Sequence, residues 1–210
     1  MELTVFGATG GIGQEIVRQA LAEGHGVTAV VRDPARLPVT GAGLRVVTTA
    51  LTDPEPLRAA VAGRDAVLSG LGPRRRKDAG IATKVTRPVL RAMEAEGVRR
   101  FVAVSAAPLG PVPEGETLFG RITTPLVSAL LRPVYDDLRE MEDEMRRSAT
   151  DWTAVRPPKL NDKPLTGVYR TALGANLRGG HSIGRADVAH AMLAAIGDTA
   201  TVKQALGVAY

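Results

Sequence analysis

The residues able to do chemistry begin seven positions into the chain. Gly7-Ala8-Thr9-Gly10-Gly11-Ile12-Gly13 follows a short apolar run and opens a helical pattern. In that setting Gly7 permits a tight turn and Gly10 lets the backbone approach a pyrophosphate. Gly13 lets a helix pack closely on a strand. Thr9, Gly11 and Ile12 belong to the same loop, and the helix start supplies free N–H groups and a positive dipole end. The expected ligand is a dinucleotide. At the end of the next apolar run an Asp or Glu would bind a ribose 2′-hydroxyl, but this chain has Arg32. A guanidinium suits a 2′-phosphate, so NADP(H) is expected in preference to NAD(H). Arg36 is either a second donor or a solvated surface arginine. Asp33, before Pro34, reads as a cap or turn residue. Leu51 is placed against the adenine, and Gly70-Leu71-Gly72 is flat backbone passing the cofactor. Arg74-Arg75-Arg76-Lys77 is the one dense basic run. It either attracts phosphates or an acidic substrate, or is a solvated loop.

The reducing half of the site is less marked. A ketone reductase of the short-chain type uses Tyr-x-x-x-Lys to transfer a proton. Here Tyr135 is followed four residues on by Arg139, and Tyr169 by Leu173, so that chemistry is disfavoured. An electron-poor planar acceptor needs less: the cofactor supplies hydride, and the protein holds donor and acceptor together. Ser105 either orients the nicotinamide or a substrate oxygen, or bonds to backbone at a strand end. Lys159 either holds an anionic group, or donates a proton if burial lowers its pKa, or is exposed. Leu109, Leu118, Phe119, Leu126, Leu130 and Leu131 are candidates to wall an aromatic substrate, with core packing or a subunit contact as the equal alternative. His181 and His190 read as structural, and Asp187 as a residue stabilising the start of its helix.

The elements that must position these residues alternate. Strands are predicted at 2–6, 27–31, 44–47, 66–69, 101–105 and 151–155. Helices are predicted at 11–23, from Pro54 to near Gly63 with Asp53 as cap, at roughly 79–96, at 136–147, and from Ser182 or Gly184 to about Ala195. This order implies α/β architecture: a Rossmann-type doubly wound parallel sheet of six strands with a small C-terminal substrate lobe. The chain reads as one domain, 1–210, with substrate-lobe segments at about 107–135 and 157–183.

Composition removes other classes. There are 210 residues and no cysteine, which excludes thiol catalysis and thiolate metal sites. Three scattered histidines disfavour a zinc hydrolase. The net charge of +5 invites a nucleic-acid reading, but aromatics are only 3 %, too few for a stacking surface. No basic segment precedes an apolar stretch at the start, and no apolar run spans a membrane, so a cytoplasmic location without nucleic-acid or membrane partners is expected. The expected partner is a small molecule, and the expected state is monomer or homodimer.

The phosphate loop and Gly26-Val27-Thr28-Ala29-Val30-Val31-Arg32-Asp33-Pro34 resemble the atypical short-chain dehydrogenase/reductases of the NmrA-like, NAD(P)H-binding group. Val155-Arg156-Pro157-Pro158-Lys159-Leu160-Asn161-Asp162-Lys163-Pro164-Leu165-Thr166-Gly167 is similar to the biliverdin-IXβ reductase (flavin reductase) branch. That resemblance implies an NADPH-dependent reductase accepting flavins and linear tetrapyrroles. It aligns Gly72 and Arg74 with the loop after strand four. Ser105 and Ala106 align with the strand end beside the nicotinamide, and Pro157, Pro158 and Lys159 with the loop after strand six. The chain departs from the branch in the substrate half. A Thr-Ser pair is replaced by Ser105-Ala106, a histidine by Lys159, and the 107–135 segment is longer. The group also contains NADP(H)-sensing regulators and reductases or isomerases of specialised metabolism, which are the alternative expectations.

Overall fold

The computed structural model describes residues 1–72, 78–111 and 131–210. The strands are β1 (Glu2–Phe6), β2 (Gly26–Val31), β3 (Leu44–Thr48), β4 (Ala66–Ser69), β5 (Arg100–Val104), β6 (Asp151–Arg156), β7 (Lys159–Asn161), β8 (Arg170–Leu173), β9 (Ser182–Gly184) and β10 (Gln204–Ala209). The helices are α1 (Gly11–Ala22), α2 (Pro54–Val61), α3 (Ile81–Ala95), α4 (Arg132–Arg147) and α5 (Arg185–Gly197). Eight strands form one sheet in the order β3-β2-β1-β4-β5-β6-β10-β8, and β7 pairs with β9 in a separate ribbon. Among the described residues, only β8 runs antiparallel in the large sheet. The order reverses between β1 and β4, so the crevice of a doubly wound fold opens at their C-terminal ends.

Alternation along each strand feeds two cores. Leu3 and Val5 of β1 join Ile16, Val17 and Met192 on one face, while Phe6 joins Leu57, Met93 and Met141 on the other. Strands buried on both faces read as continuous apolar runs, which is why β1, β2 and β4 are visible in the sequence.

The structure departs from expectation in three places. The sheet has two strands beyond the expected six, an antiparallel edge strand, β8, and a parallel one beside β6, β10. The centre of β10 is Gly207, where any Cβ would run into the Ala175 carbonyl, so the strand lacks an unbroken β-branched run. Helix α4 begins at Arg132 rather than after Pro133, because proline is tolerated in a first turn, where its missing N–H is not needed. Asp53 occupies the N-cap of α2 but its side chain makes no capping hydrogen bond. No helix among the described residues is long and apolar enough to cross a membrane.

Candidate functional site

The turn after β1 interlocks with the end of β4. Gly7 has φ +73°, a left-handed conformation that favours glycine, and a Cβ there would lie 2.8 Å from the Gly70 carbonyl carbon. A Cβ on Gly13 would overlap the Gly7 carbonyl oxygen, so α1 sits directly on the turn. Gly10 donates to the Gly7 carbonyl at 2.8 Å and then serves as the N-cap of α1. It has no side chain to cap the helix, and no acidic residue lies in the first turn. The positive end of α1 thus has neither a capping side chain at Gly10 nor a first-turn acid, an arrangement suited to an anion. Helix α3 contrasts with it. Buried Asp137 from α4 accepts from Ala82 and Thr83 N–H at 3.1 and 3.0 Å, so its first turn is already satisfied.

Beside α1 lies a cleft of about 690 Å³, lined by Gly7, Thr9, Gly10, Arg32, Arg36, Leu51, Gly70, Leu71 and Gly72, together with Val30, Val31, Lys84 and residues 78–81. Most of the sequence-derived cofactor residues thus meet in one space. Ile12 and Gly13 are buried under it rather than lining it. Arg32 and Arg36 form no ion pair among the described residues. Asp33 accepts from Ala35 N–H at 3.1 Å and so caps the turn that presents Arg36. The size of the cleft and the uncapped helix end fit a dinucleotide, and two exposed guanidiniums line the same space. Arg74 and its neighbours to Lys77, as well as Leu118, Phe119, Leu126 and Leu130, lie outside the described residues.

Further along the same edge, β5 and β6 end together. Ser105 N–H donates to the Val155 carbonyl at 2.7 Å and Ala107 N–H to the Pro157 carbonyl at 2.9 Å. Ser105, Ala106, Pro157 and Pro158 sit there, outside the lining of the described cleft. The Ser105 hydroxyl is buried and donates to Glu142 Oε1 at 2.7 Å. Glu142, 1 % exposed, also accepts from Arg156 Nε at 2.9 Å, Arg156 Nη2 at 2.5 Å and Arg146 Nη2 at 2.7 Å. Ser105 has one hydroxyl proton, and it is committed to that carboxylate. Toward any ligand its oxygen is an acceptor only.

Lys159 is exposed on β7 and does not line the cleft. Tyr135 packs on the core, and burial pushes its phenol up. Arg139 pairs with Asp136, so the Tyr135/Arg139 spacing does not build a proton-transfer pair. Leu109 packs against the core. Asp187 lies in the first turn of α5, and its oxygens are bonded to other segments. It accepts from Thr166 and Gly167 N–H, the Thr166 hydroxyl and the Tyr210 hydroxyl. Burial pulls its carboxyl up, but these bonds together outweigh burial and hold it below the usual value. His190 Nδ1 pairs with the Tyr169 hydroxyl at 2.7 Å. Burial, aided by the Asp187 charge, pushes that phenol up to about 12.

Glu142 and Asp137 were missed by motif reading. Their signal was periodic: Leu138, Met141 and Met145 define the buried face of α4, and both acids fall on it.

A family described as NAD(P)H-binding matches residues 7–199. Among curated proteins, the chain is 32 % identical over 165 residues to (4-alkanoyl-5-oxo-2,5-dihydrofuran-3-yl)methyl phosphate reductase of Streptomyces griseus, covering 78 % of this chain and 50 % of that protein. It is 37 % identical over 127 residues to 3-diazoavenalumate denitrifying reductase of a Streptomyces species, covering 53 % of this chain and 41 % of that protein. The chain thus spans about half the length of these relatives. Among solved structures, a Burkholderia pseudomallei protein matches all of both chains with TM-score 0.82 and 28 % identity. A wide-type short-chain dehydrogenase/reductase of Veillonella parvula in complex with NADP matches 100 % of this chain and 94 % of that one, with TM-score 0.80 and 22 % identity, a likeness of fold.

Proposed function

The chain belongs to the NAD(P)H-binding family, and from that premise we propose that it is an NADPH-dependent reductase passing hydride to a planar, conjugated, electron-poor acceptor such as a flavin. Arg32 and Arg36, both in the cleft, support the preference for the 2′-phosphate. When bound, the cofactor supplies the hydride. Gly7 to Gly13 and the end of α1 hold its phosphates, and Leu51 and Gly70 to Gly72 bracket it.

The single observation that carries the acceptor class is the commitment of the Ser105 proton to Glu142. A hydroxyl that polarises a ketone must donate to the oxygen that becomes negative. Ser105 can only accept, which matches the amide N–H of a nicotinamide or an N–H of the substrate. Together with the missing Tyr-x-x-x-Lys, this favours acceptors that take hydride without a protein acid and collect their proton from water. The curated relatives' names fit: one denotes a conjugated unsaturated lactone, the other a diazo compound, and both are called reductases.

The test is NADPH oxidation followed with FMN, FAD, a quinone, biliverdin and a simple ketone. Turnover with at least one conjugated acceptor and none with the ketone is expected. Tight NADP+ binding with no turnover of any acceptor would instead favour a sensor.

A further inference from the structure

One cation near the phosphate loop is not explained by the site above. Register in the small ribbon sets Asn161 opposite Gly184, so the next residues, Asp162 and Arg185, emerge side by side. Arg185 Nη1 pairs with Asp162 Oδ1 at 2.5 Å. The arginine is also the first residue of α5, and α5 is locked to α1 by Gln19 Nε2 donating to the Ala186 carbonyl at 2.9 Å. Its stem lies across the start of α1. A Cβ on Gly11 would sit 2.6 Å from Arg185 Cδ and 3.1 Å from Nε. Gly11 has an ordinary backbone conformation, so its missing side chain serves this close approach rather than the turn.

Electrostatics makes that position costly without a ligand. A guanidinium over the first residue of α1 faces the positive end of that helix, where anions are favoured and cations are not. Helix α5 begins at Arg185 itself. Asp187, in its first turn, has its carboxylate turned to residues 166–167 and Tyr210. Asp162 is the one acid paired with Arg185 among the described residues, and its side chain is 88 % exposed. A weak, solvated partner therefore holds a cation beside the place where the pyrophosphate of a dinucleotide is bound.

We propose that Arg185 is a cationic clasp for the cofactor pyrophosphate, parked on Asp162 in the free protein and transferred to the phosphate oxygens when the dinucleotide binds. The proposal rests on the cofactor reading above and adds a residue to it. It also assigns Asp162 the role of a competing anion. Since the pyrophosphate is common to both cofactors, Arg185 contributes equally to NADP+ and NAD+, unlike Arg32.

The test is calorimetric titration of the whole chain with NADP+ and with NAD+, without any acceptor present. Arg185→Ala is expected to weaken both by about tenfold, the low end for a charge-assisted bond, because the side chain stays partly in water. Asp162→Asn is expected to tighten both by about two- to fivefold, the worth of an exposed ion pair. Opposite signs are the discriminating result. If the pair were only structural, both variants would act in the same direction, and that outcome overturns the clasp. So does an Arg185→Ala protein that melts as the wild type does and binds both cofactors with unchanged constants. Selective loss of NADP+ alone would show that Arg185 reads the 2′-phosphate, which also overturns it. A wild-type chain that binds neither dinucleotide defeats the cofactor reading itself, and the clasp with it.

Discussion

Glu142→Gln is the perturbation whose consequence the structure defines most closely. Four donors converge on the carboxylate: the Ser105 hydroxyl and Arg156 Nε on Oε1, and Arg156 Nη2 and Arg146 Nη2 on Oε2. Glutamine fits the same space but turns one of those oxygens into an N–H donor. Either orientation sets its amide hydrogens against two existing donors. It also leaves the guanidinium of Arg156, 8 % exposed, without its counter-charge. Breaking a buried pair from one side costs about 3–5 kcal/mol. Arg146 is 43 % exposed and can turn to water, so the lower end, about 3 kcal/mol, applies. For a chain of this length that is a fall in Tm of roughly 6–12 °C. Trp152, the sole tryptophan, is buried in β6, and its fluorescence reports the transition. Glu142→Met with Arg156→Met removes both charges and should cost less than Glu142→Gln alone, because no buried ion is stranded. A Glu142→Gln melting point within about 2 °C of wild type, or a double variant as costly as the sum of the two singles, would refute the reasoning.

Other variants probe the remaining parts. Arg32→Asp should weaken NADPH relative to NADH by at least about tenfold in direct titration, since it replaces the proposed donor to the 2′-phosphate with a like charge. Gly13→Ala should abolish dinucleotide binding, because its methyl would overlap the Gly7 carbonyl oxygen. Asp187 has a folded pKa below its unfolded one, so it stabilises the fold above pH ~4 and loses that contribution as pH falls through the folded value. Asp187→Asn should therefore lower Tm at neutral pH and flatten the acid limb of a Tm–pH curve. Tyr169 is the reverse case. Its pKa of about 12 gives stability that is full below the unfolded value near 10 and lost as pH rises between them, so Tyr169→Phe should flatten the alkaline limb.

How much of this was legible in the sequence depended on whether a residue's role was local. The candidate phosphate loop is a strand, a turn and a helix start within a dozen residues, so spacing alone singles it out. Arg32 is found by counting to the end of the next strand. The inner strands announce themselves because both faces are buried. Strand β10 did not, because Gly207 interrupts it and it is held by β6 and β8, which lie far away in the chain. The partners of Ser105 were equally hidden. Glu142 lies 37 residues away on a different element, and no short motif joins them. Asp187 is a mixed case. Its place in the first turn of its helix is local and legible, whereas its bonds to the chain at 166–167 and to Tyr210 are not.

Two buried arginines show why location at the sheet's ends decides what such a group can do. Arg100 opens β5, and Arg156 closes β6. They have nearly the same exposure, 9 % and 8 %. Arg100 spends its donors on the carbonyls of Asp151, Ala195 and Ile196 and on the hydroxyls of Thr153 and Thr201. None of these is an acid, and burial pulls its pKa down. It neutralises the carbonyl end of α5 and ties that end to the sheet, a purely architectural task at the edge away from the phosphate loop. Arg156 stands at the opposite edge and faces a carboxylate. That carboxylate is fixed from one side by two guanidiniums, and from the other it removes the only proton Ser105 can give. The same expensive group therefore does different things at the two edges. At one it closes a helix. At the other it fixes the hydrogen-bonding direction of a hydroxyl beside the expected nicotinamide half of the crevice. Substituting Arg100 should then change stability and leave the acceptor profile alone. Substituting Arg156 should change both, because Glu142 would no longer be held where it keeps Ser105 an acceptor.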